Sequence, residues 1–174
     1  LARLAAHDCL LRIGSDSIIP ATTTSVLGLL LDAELAMKQH IARTAATCFY
    51  HLRRIRQIRR RVGEDIAERL VLALVISRLD YCNSSLAGLP RSSLDPLQRV
   101  QNAAARLIFK LRPRDHVTPS LIQLHWLPVR FRIEYKLCML MHYVYTGRAP
   151  AYLMSSVQAT STSSTRAGLR SASS

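Results

Sequence analysis

Acidic residues are scarce in this chain. Its 174 residues include 11 Asp and Glu against 24 Lys and Arg, which gives a formal charge of +13 at neutral pH. Such an excess of cations favours a polyanionic partner, nucleic acid first and an anionic membrane second. Arginine greatly outnumbers lysine, and its planar guanidinium suits the recognition of phosphate. Because hydrophobic residues make up 49% of the chain, a packed core is expected rather than wholesale disorder.

Signatures of membrane spans, phosphate loops, metal sites and disulfides are also missing. The longest uninterrupted apolar run, Leu70 to Ile76, is far too short to cross a bilayer. We expect nucleic acid, and not a membrane, as the partner. The glycines are isolated and form no phosphate-cradling loop. The cysteines lie far apart without a C-x-x-C pair, which argues against zinc and against a disulfide framework. We expect no cofactor in this chain. This usage predicts a reduced, intracellular location in the cytoplasm or nucleus rather than secretion. The cysteines are Cys9, Cys48, Cys82 and Cys138.

The start of the chain carries no targeting signal. It begins at Leu1, its first methionine is Met37, and no charged-then-apolar leader opens it. No signal peptide is therefore expected. We expect the chain to be a piece cut from a longer reading frame.

The pattern of apolar and turn residues predicts a mainly α fold. We expect an antiparallel helical bundle at 32–154, a small β element at 1–31 and a disordered Ser/Thr-rich tail at 155–174. In the β element, a hairpin should turn at Gly14 to Asp16, and Thr22 to Leu31 should form a further strand in which Gly28 marks a bulge or a close backbone approach.

Capping residues and prolines divide the bundle into helices. The second helix has an apolar middle at Leu70 to Ile76, which should make it the central core element. Asp32 and Ser93 are expected to cap the first and third helices. The predicted helices are Leu35 to Val62, Glu64 to Leu86, Ser93 to Lys110, Thr118 to Leu124 and Val129 to Tyr145, with one more turn near Pro150 to Leu153.

The strongest functional signal is the segment His51 to Arg61, HLRRIRQIRRR. Its six arginines repel one another on a helix, and bound phosphates would relieve that repulsion. No acid occurs between Glu34 and Glu64, so nearby neutralising partners are few. The alternative is a solvated basic face that pairs with acids elsewhere in the fold. The candidate phosphate-binding residues are Arg53, Arg54, Arg56, Arg59, Arg60 and Arg61.

A second basic cluster follows at the end of the third helix. It comprises Arg106, Lys110, Arg112 and Arg114, with His116 nearby. Lys110, Arg112 and Arg114 are further candidates for nucleic-acid contact. The alternative is that a helix C-terminus attracts cations without any ligand.

Other polar and aromatic residues have structural alternatives that we favour. Trp126 could stack on a base but should be a core anchor. His40 has no acid or cysteine at a useful spacing and should pack or cap. The tyrosines Tyr135, Tyr143 and Tyr145 could form an aromatic platform, but we expect them to pack between helices with their hydroxyl groups in water. Arg130, Arg132 and Lys136 should form an ordinary exposed face. Ser77 and Cys82 lack the oriented His-acid pair that a nucleophile needs.

Five stretches of the chain, taken in order, resemble the region that follows the polymerase active site in jockey-like and chicken-repeat-like LINE reverse transcriptases, which are encoded by non-LTR retrotransposons. Together they cover roughly residues 10 to 154. They are Leu27 to Asp32 with Leu35 and His40-Ile41; Ser77 to Asn83 with Gly88 to Pro90; Leu97-Gln98 with Val100 to Arg106; Leu124 to Val129 with Arg132-Ile133 and Tyr135-Lys136; and Gly147 with Ala149-Pro150 and Tyr152-Leu153.

The resemblance implies a part of the polymerase without its catalytic centre. Such enzymes coordinate two metal ions, magnesium in the parent enzyme, through palm aspartates that include an Asp-Asp pair. This chain has no Asp-Asp pair; its only adjacent acids are Glu64-Asp65. We therefore expect no polymerase activity from this chain alone and no catalytic or metal-binding residue in it.

By the same resemblance, the helical region is the thumb, which holds the primer-template by its backbone. The implied partners are RNA or an RNA–DNA hybrid and the palm and fingers of the parent polymerase. Two alternatives remain open from the sequence. One is a self-standing helical module that binds another protein. The other is a non-functional transposon relic.

Overall fold

The protein, seen in a computed structural model that describes residues 11–18 and 21–157, is mainly helical, as the sequence predicts. Two short antiparallel hairpins precede the helices. The strands are β1 (Leu11–Ile13), β2 (Asp16–Ile18), β3 (Thr23–Val26) and β4 (Leu29–Asp32). The α-helices are α1 (Lys38–Ile58), α2 (Glu64–Val71), α3 (Ser77–Asp80), α4 (Arg91–Ile108), α5 (Thr118–Gln123), α6 (Val129–Tyr145) and α7 (Ala151–Ser156), with a π-helical segment at Leu72–Ile76 and a 3-10 turn at Asn83–Leu86.

The hairpin expected around Gly14 is present as β1 and β2. The single strand predicted from Thr22 to Leu31 is wrong, because the chain reverses there to form β3 and β4. Leu27 and Gly28 make the reversal, with φ of 49° and 86°. Two successive residues in the left-handed region form the tight turn whose twist suits a hairpin, and glycine adopts it without strain. Gly28 is therefore a turn residue rather than a bulge.

Asp32 ends β4 and does not cap α1. Its carboxylate accepts a hydrogen bond from the backbone N–H of Ala36 at 2.7 Å, which holds the turn between strand and helix. Leu35 and Met37 have positive φ, so the chain becomes helical only at Lys38. The predicted first helix therefore starts too early.

The segment from α2 through the π-helical turn to α3 forms one side of the core, with Val71, Val75 and Leu79 buried. This segment is not enclosed on every side, because the side chain of Leu72 is 39% exposed. Helix α4 is the more deeply buried element and packs along α1. The prediction that residues 66 to 82 form the centre is wrong in this respect. The buried residues of α4 are Leu94, Leu97, Val100, Gln101, Ala104, Ala105, Leu107 and Ile108.

The start of α4 also differs from the prediction. The helix begins at Arg91, directly after Pro90, and no side chain caps it. Ser93 therefore lies in the first turn instead of at the cap. Proline before the first helical residue favours the extended backbone seen there, with ψ of 148°.

Glutamine side chains join α4 to the beginning of α6. Gln101 is fully buried, and its Nε2 donates to the carbonyl of Leu127 at 2.8 Å. Gln98 accepts a hydrogen bond from the N–H of Val129 at 2.9 Å, an amide in the first turn of α6 that has no partner within the helix. Its own Nε2 donates to Gln101 at 3.0 Å. These contacts fix the position of α6 on α4.

The bounds predicted for α6 are confirmed, and α7 supplies the extra turn expected near Pro150. Most of the predicted tail, from residue 158 onward, lies outside the described residues. No helix within residues 11–18 and 21–157 combines the length and apolar character that a bilayer crossing requires.

Candidate nucleic-acid interface

The end of α1 and the end of α4 enclose a groove with a volume of about 540 Å³. The two basic clusters of the sequence, which are about fifty residues apart in the chain, both contribute to it. We call it the basic groove. Its lining residues are Arg56, Arg59, Arg60, Ala103, Arg106, Leu107, Lys110, Leu111 and Pro113.

One wall of the basic groove comes from the last turn of α1. Leu52 and Ile55 are buried against the core and fix which side of the helix faces solvent. Arg56 lies in that last turn, and Arg60 follows in the turn after the helix; both are exposed. The amphipathic spacing of the helix thus presents Arg56 to solvent, and the turn that follows the helix presents Arg60 along the same groove.

The opposite wall comes from the last turn of α4 and the residue that ends it. Arg106 is half-buried, and its Nη2 donates to the carbonyl of Asp115 at 3.3 Å. Lys110 is exposed and has φ of 54°. The N–H of Leu111 donates back to the carbonyl of Arg106 at 3.0 Å, the six-residue closure that ends many helices. This helix end turns Lys110 toward the same groove as Arg106.

Apolar side chains and the buried Arg59 form the rest of the groove. Leu107 is buried, Leu111 and Ala103 are half-buried, and Pro113 is exposed. The groove therefore combines cations on two walls with an apolar floor. Such a surface suits a ligand that carries both negative charge and apolar area.

Arg59 does not belong to the exposed set, which corrects the prediction that it contacts phosphate. It is 7% exposed, and its guanidinium is used inside the protein. Nε donates to the carbonyl of Leu107 at 3.0 Å, Nη1 to that of Val62 at 2.9 Å and Nη2 to that of Ile108 at 2.5 Å. Two of these acceptors are C-terminal carbonyls of α4, which have no partner within the helix. Arg59 thus satisfies the end of α4 and ties it to α1.

The remaining predicted arginines are exposed but do not line the basic groove. Arg53 is three residues before Arg56 on α1 and extends its positive face. Arg54 turns to Tyr50: its Nη1 donates to the phenol oxygen at 3.0 Å, and this hydrogen bond raises the pKa of the arginine. Arg61, Arg112 and Arg114 are exposed around the groove.

Within the part of the chain that the structure describes, no carboxylate forms an ion pair with the cations of the basic groove. Ion pairs in that part of the chain include Arg130 with Glu134 and Arg132 with Asp80, and neither involves a cation of the groove. The carboxylate of Asp115, near the groove, accepts a hydrogen bond from the backbone N–H of Arg112 at 2.7 Å. The alternative of a basic face neutralised by acids elsewhere is therefore not what the described residues show.

The pKa of a histidine on α1 is lowered by burial and by the positive charges around it. Burial lowers the pKa of His51, and the guanidinium groups of Arg78 and Arg54 lower it further. Neighbouring cations disfavour a second positive charge. The imidazole is therefore held toward its neutral form beside the arginine-rich segment.

Arg132 is not the ordinary exposed residue that the sequence suggests. Its guanidinium makes two hydrogen bonds to the carboxylate of Asp80, with Nε donating at 2.8 Å. The pair joins the end of α3 to α6 and is partly buried. Arg130 and Lys136 are exposed, as predicted.

Trp126 is buried, which confirms its predicted role as a core anchor. His125 precedes it and is exposed, and its φ of 55° is the left-handed conformation that ends α5. His40 is buried, and its Nδ1 accepts a hydrogen bond from the N–H of Leu30 at 3.4 Å, so its packing role is confirmed. Burial, then Arg43, lowers the pKa of His40, in keeping with a neutral acceptor.

The tyrosines of α6 do not pack between helices as expected. Tyr135 is 58% exposed and Tyr145 66%. Tyr143 is also exposed. Helix α6 buries only Val129 and Ile133, both near its start, so the rest of the helix is largely exposed.

Cys48 is fully buried, and burial raises the pKa of its thiol to about 11, which makes it unreactive. Among residues 11–18 and 21–157, no three His, Cys, Asp or Glu side chains gather closely enough to hold a metal ion. The described residues therefore do not fit the magnesium pair of a polymerase.

Compared with protein-family models, curated proteins and solved structures, the chain gives no match. The motifs quoted above and the geometry of the basic groove are what bear on its function.

Proposed function

We propose that this chain is the thumb-like C-terminal part of a LINE-type reverse transcriptase and that it holds nucleic acid, RNA or an RNA–DNA hybrid, by the phosphate backbone. The observation that carries the proposal is the convergence of Arg56 and Arg60 with Arg106 and Lys110 on one groove. Cations on two helices can contact successive phosphates of one strand from both sides. A single charged helix face can contact the strand from one side only.

The electrostatics support binding rather than mere solubility. The groove cations have no carboxylate partner among the described residues, and the whole chain carries a formal charge of +13. Phosphate binding releases condensed counterions and so gives a favourable free energy that fails at high salt. The proposal assigns the chain a holding role, with polymer synthesis left to the palm of the parent enzyme.

The first test removes charge from the α1 wall. The variant Arg56→Gln/Arg60→Gln should bind an RNA–DNA hybrid with a single-stranded overhang at least about tenfold more weakly than the unchanged chain at low salt. Both side chains are exposed, so the fold should be retained. Fluorescence anisotropy measures the affinity.

The matched control is Arg43→Gln/Arg148→Gln. Arg43 is exposed at the opposite end of α1, and Arg148 is exposed beyond α6. The control loses the same charge away from the groove and should weaken binding much less. Equal weakening by the two double variants would mean that net charge, rather than the groove, attracts nucleic acid.

A second candidate is a protein-binding helical module. It is favoured by the exposed apolar side chains along α6, which include Phe131 at 50%, Tyr135 at 58% and Tyr145 at 66%. Large exposed apolar patches often mark interaction sites. Binding to a protein partner that does not change with salt, together with no affinity for RNA or hybrid at low salt, would favour this function over the first.

A further inference from the structure

The basic groove has two kinds of surface that a phosphate backbone alone does not need. Its walls carry Arg56, Arg60, Arg106 and Lys110, and its floor is apolar, with Leu107 and Leu111. Its volume of about 540 Å³ lies within the roughly 300–1,000 Å³ range of small-molecule pockets. A site for phosphates only would be satisfied by the cations at its rim.

A paired duplex cannot use the apolar floor. In a duplex the bases are stacked and paired, and the backbone that it presents is charged and hydrated. An unpaired nucleotide exposes the faces of its base, which gain free energy by contact with apolar side chains or guanidinium planes.

Arg59 adds to this selectivity by closing the floor. It occupies the carbonyls of Leu107 and Ile108, which would otherwise leave unpaired acceptors at the end of α4. An unpaired acceptor would attract water and weaken apolar contact with a base. With these carbonyls satisfied, the floor offers aliphatic carbon beneath the cationic rim.

We propose that the basic groove binds an unpaired nucleotide of a nucleic-acid strand, with its base against Leu107 and Leu111 and its flanking phosphates between the α1 and α4 walls. This inference rests on the proposed function and narrows its substrate from nucleic acid in general to single-stranded segments. A strand end or a flipped-out base within a hybrid presents the required unit. A blunt hybrid does not.

The test uses the full chain and three labelled probes. They are a single-stranded RNA, a strand of the same length whose sites are all abasic, and a blunt RNA–DNA hybrid of which that RNA is one strand. The hybrid carries twice the phosphates of either single strand, so electrostatics alone would favour it. We expect the single-stranded RNA to bind about tenfold more tightly than the abasic strand and than the blunt hybrid. Fluorescence anisotropy at one fixed salt concentration gives the three affinities.

A variant of the floor provides a second arm. Leu111→Asn should weaken binding of the single-stranded RNA severalfold and leave the abasic strand unchanged, because only the base contacts that side chain. The control Ile122→Asn changes an apolar residue of α5 that is 69% exposed and does not line the groove, and should have no effect. Denaturant unfolding checks that both variants fold, and the probe comparison with the unchanged chain stands without them.

The possible failures are distinguishable. Equal affinity for all three probes would overturn the inference and leave phosphate binding in place. Absence of binding to every probe at low salt would overturn the proposed function as well. A further outcome is that a free nucleoside monophosphate displaces the labelled RNA at the same concentration as unlabelled RNA does. That result would assign the groove to a small nucleotide and would also overturn the inference.

Discussion

Arg59 and Arg60 are adjacent in the sequence but meet opposite surroundings. Arg60 is exposed at the rim of the basic groove, whereas Arg59 is buried and donates three hydrogen bonds to carbonyls. The difference arises because α1 ends at Ile58 and the following turn directs Arg59 toward the end of α4. A guanidinium can cover several carbonyls at once, which a shorter side chain cannot.

Replacement of Arg59 tests this structural role. Arg59→Gln should lower the free energy of unfolding by about 2–3 kcal/mol, because it removes charged hydrogen bonds and leaves buried carbonyls without donors. The midpoint of urea unfolding measures the change. Arg60→Gln, the exposed neighbour, should change stability by less than about 0.5 kcal/mol. Similar stability of the two variants would mean that the contacts of Arg59 do not hold the helix end.

Which arginine of the run HLRRIRQIRRR is buried could not be deduced from the sequence. A helical wheel groups Arg53, Arg56 and Arg60 but does not show that the carbonyls of another helix lie beside Arg59. The same limit applies to Arg132, whose partner Asp80 is 52 residues away. Trp126 was predictable, because a large apolar ring between leucines is normally buried.

At the scale of secondary structure, elements with clear boundary residues were predicted well. Pro128 and Gly147 bracket α6, and the helix lies between them as expected. Gly147 has φ of 69° and ends it by the left-handed closure that glycine favours. The prediction that Asp32 caps α1 was wrong, because a carboxylate that accepts a hydrogen bond from a backbone N–H can stabilise a turn as readily as the start of a helix.

The junction between α4 and α6 depends on side chains that look unremarkable in the sequence. Gln98 and Gln101 lie at helical spacing, and their amides bind the backbone that leads into α6. A buried amide is retained where it satisfies backbone groups that have no other partner. The contact also places motifs from the third and fourth resembling stretches side by side.

Truncation of Gln98 tests the junction. Gln98→Ala should destabilise the protein by roughly 1–2 kcal/mol, because the N–H of Val129 and the amide of Gln101 each lose a hydrogen-bond partner. Gln57→Ala, an exposed glutamine on α1, is the control and should have little effect. Thermal unfolding compares the two. Equal effects would indicate that the junction is held by apolar packing alone.

At the scale of the whole molecule, the charge of the chain and the groove that concentrates it belong to one account. The composition predicts a polyanionic partner, and the fold gathers Arg56, Arg60, Arg106 and Lys110 on one concave surface. Most of these residues could be predicted from the sequence as candidates. Their convergence on one groove could not, because it depends on the long-range packing of α1 against α4. Local spacing gives the face of each helix, and only the fold gives the groove between them.

The salt dependence of RNA binding shows whether the four cations of the basic groove contact phosphate. The affinity of the full chain for single-stranded RNA is measured over a series of salt concentrations, for the unchanged chain and for a variant with Gln at Arg56, Arg60, Arg106 and Lys110. Each phosphate contact on a single strand contributes a slope of about −0.7 to the plot of log affinity against log salt, so the account predicts that the slope becomes shallower by roughly 3 in the variant. An unchanged slope would show that these four cations do not contact phosphate and would contradict the account.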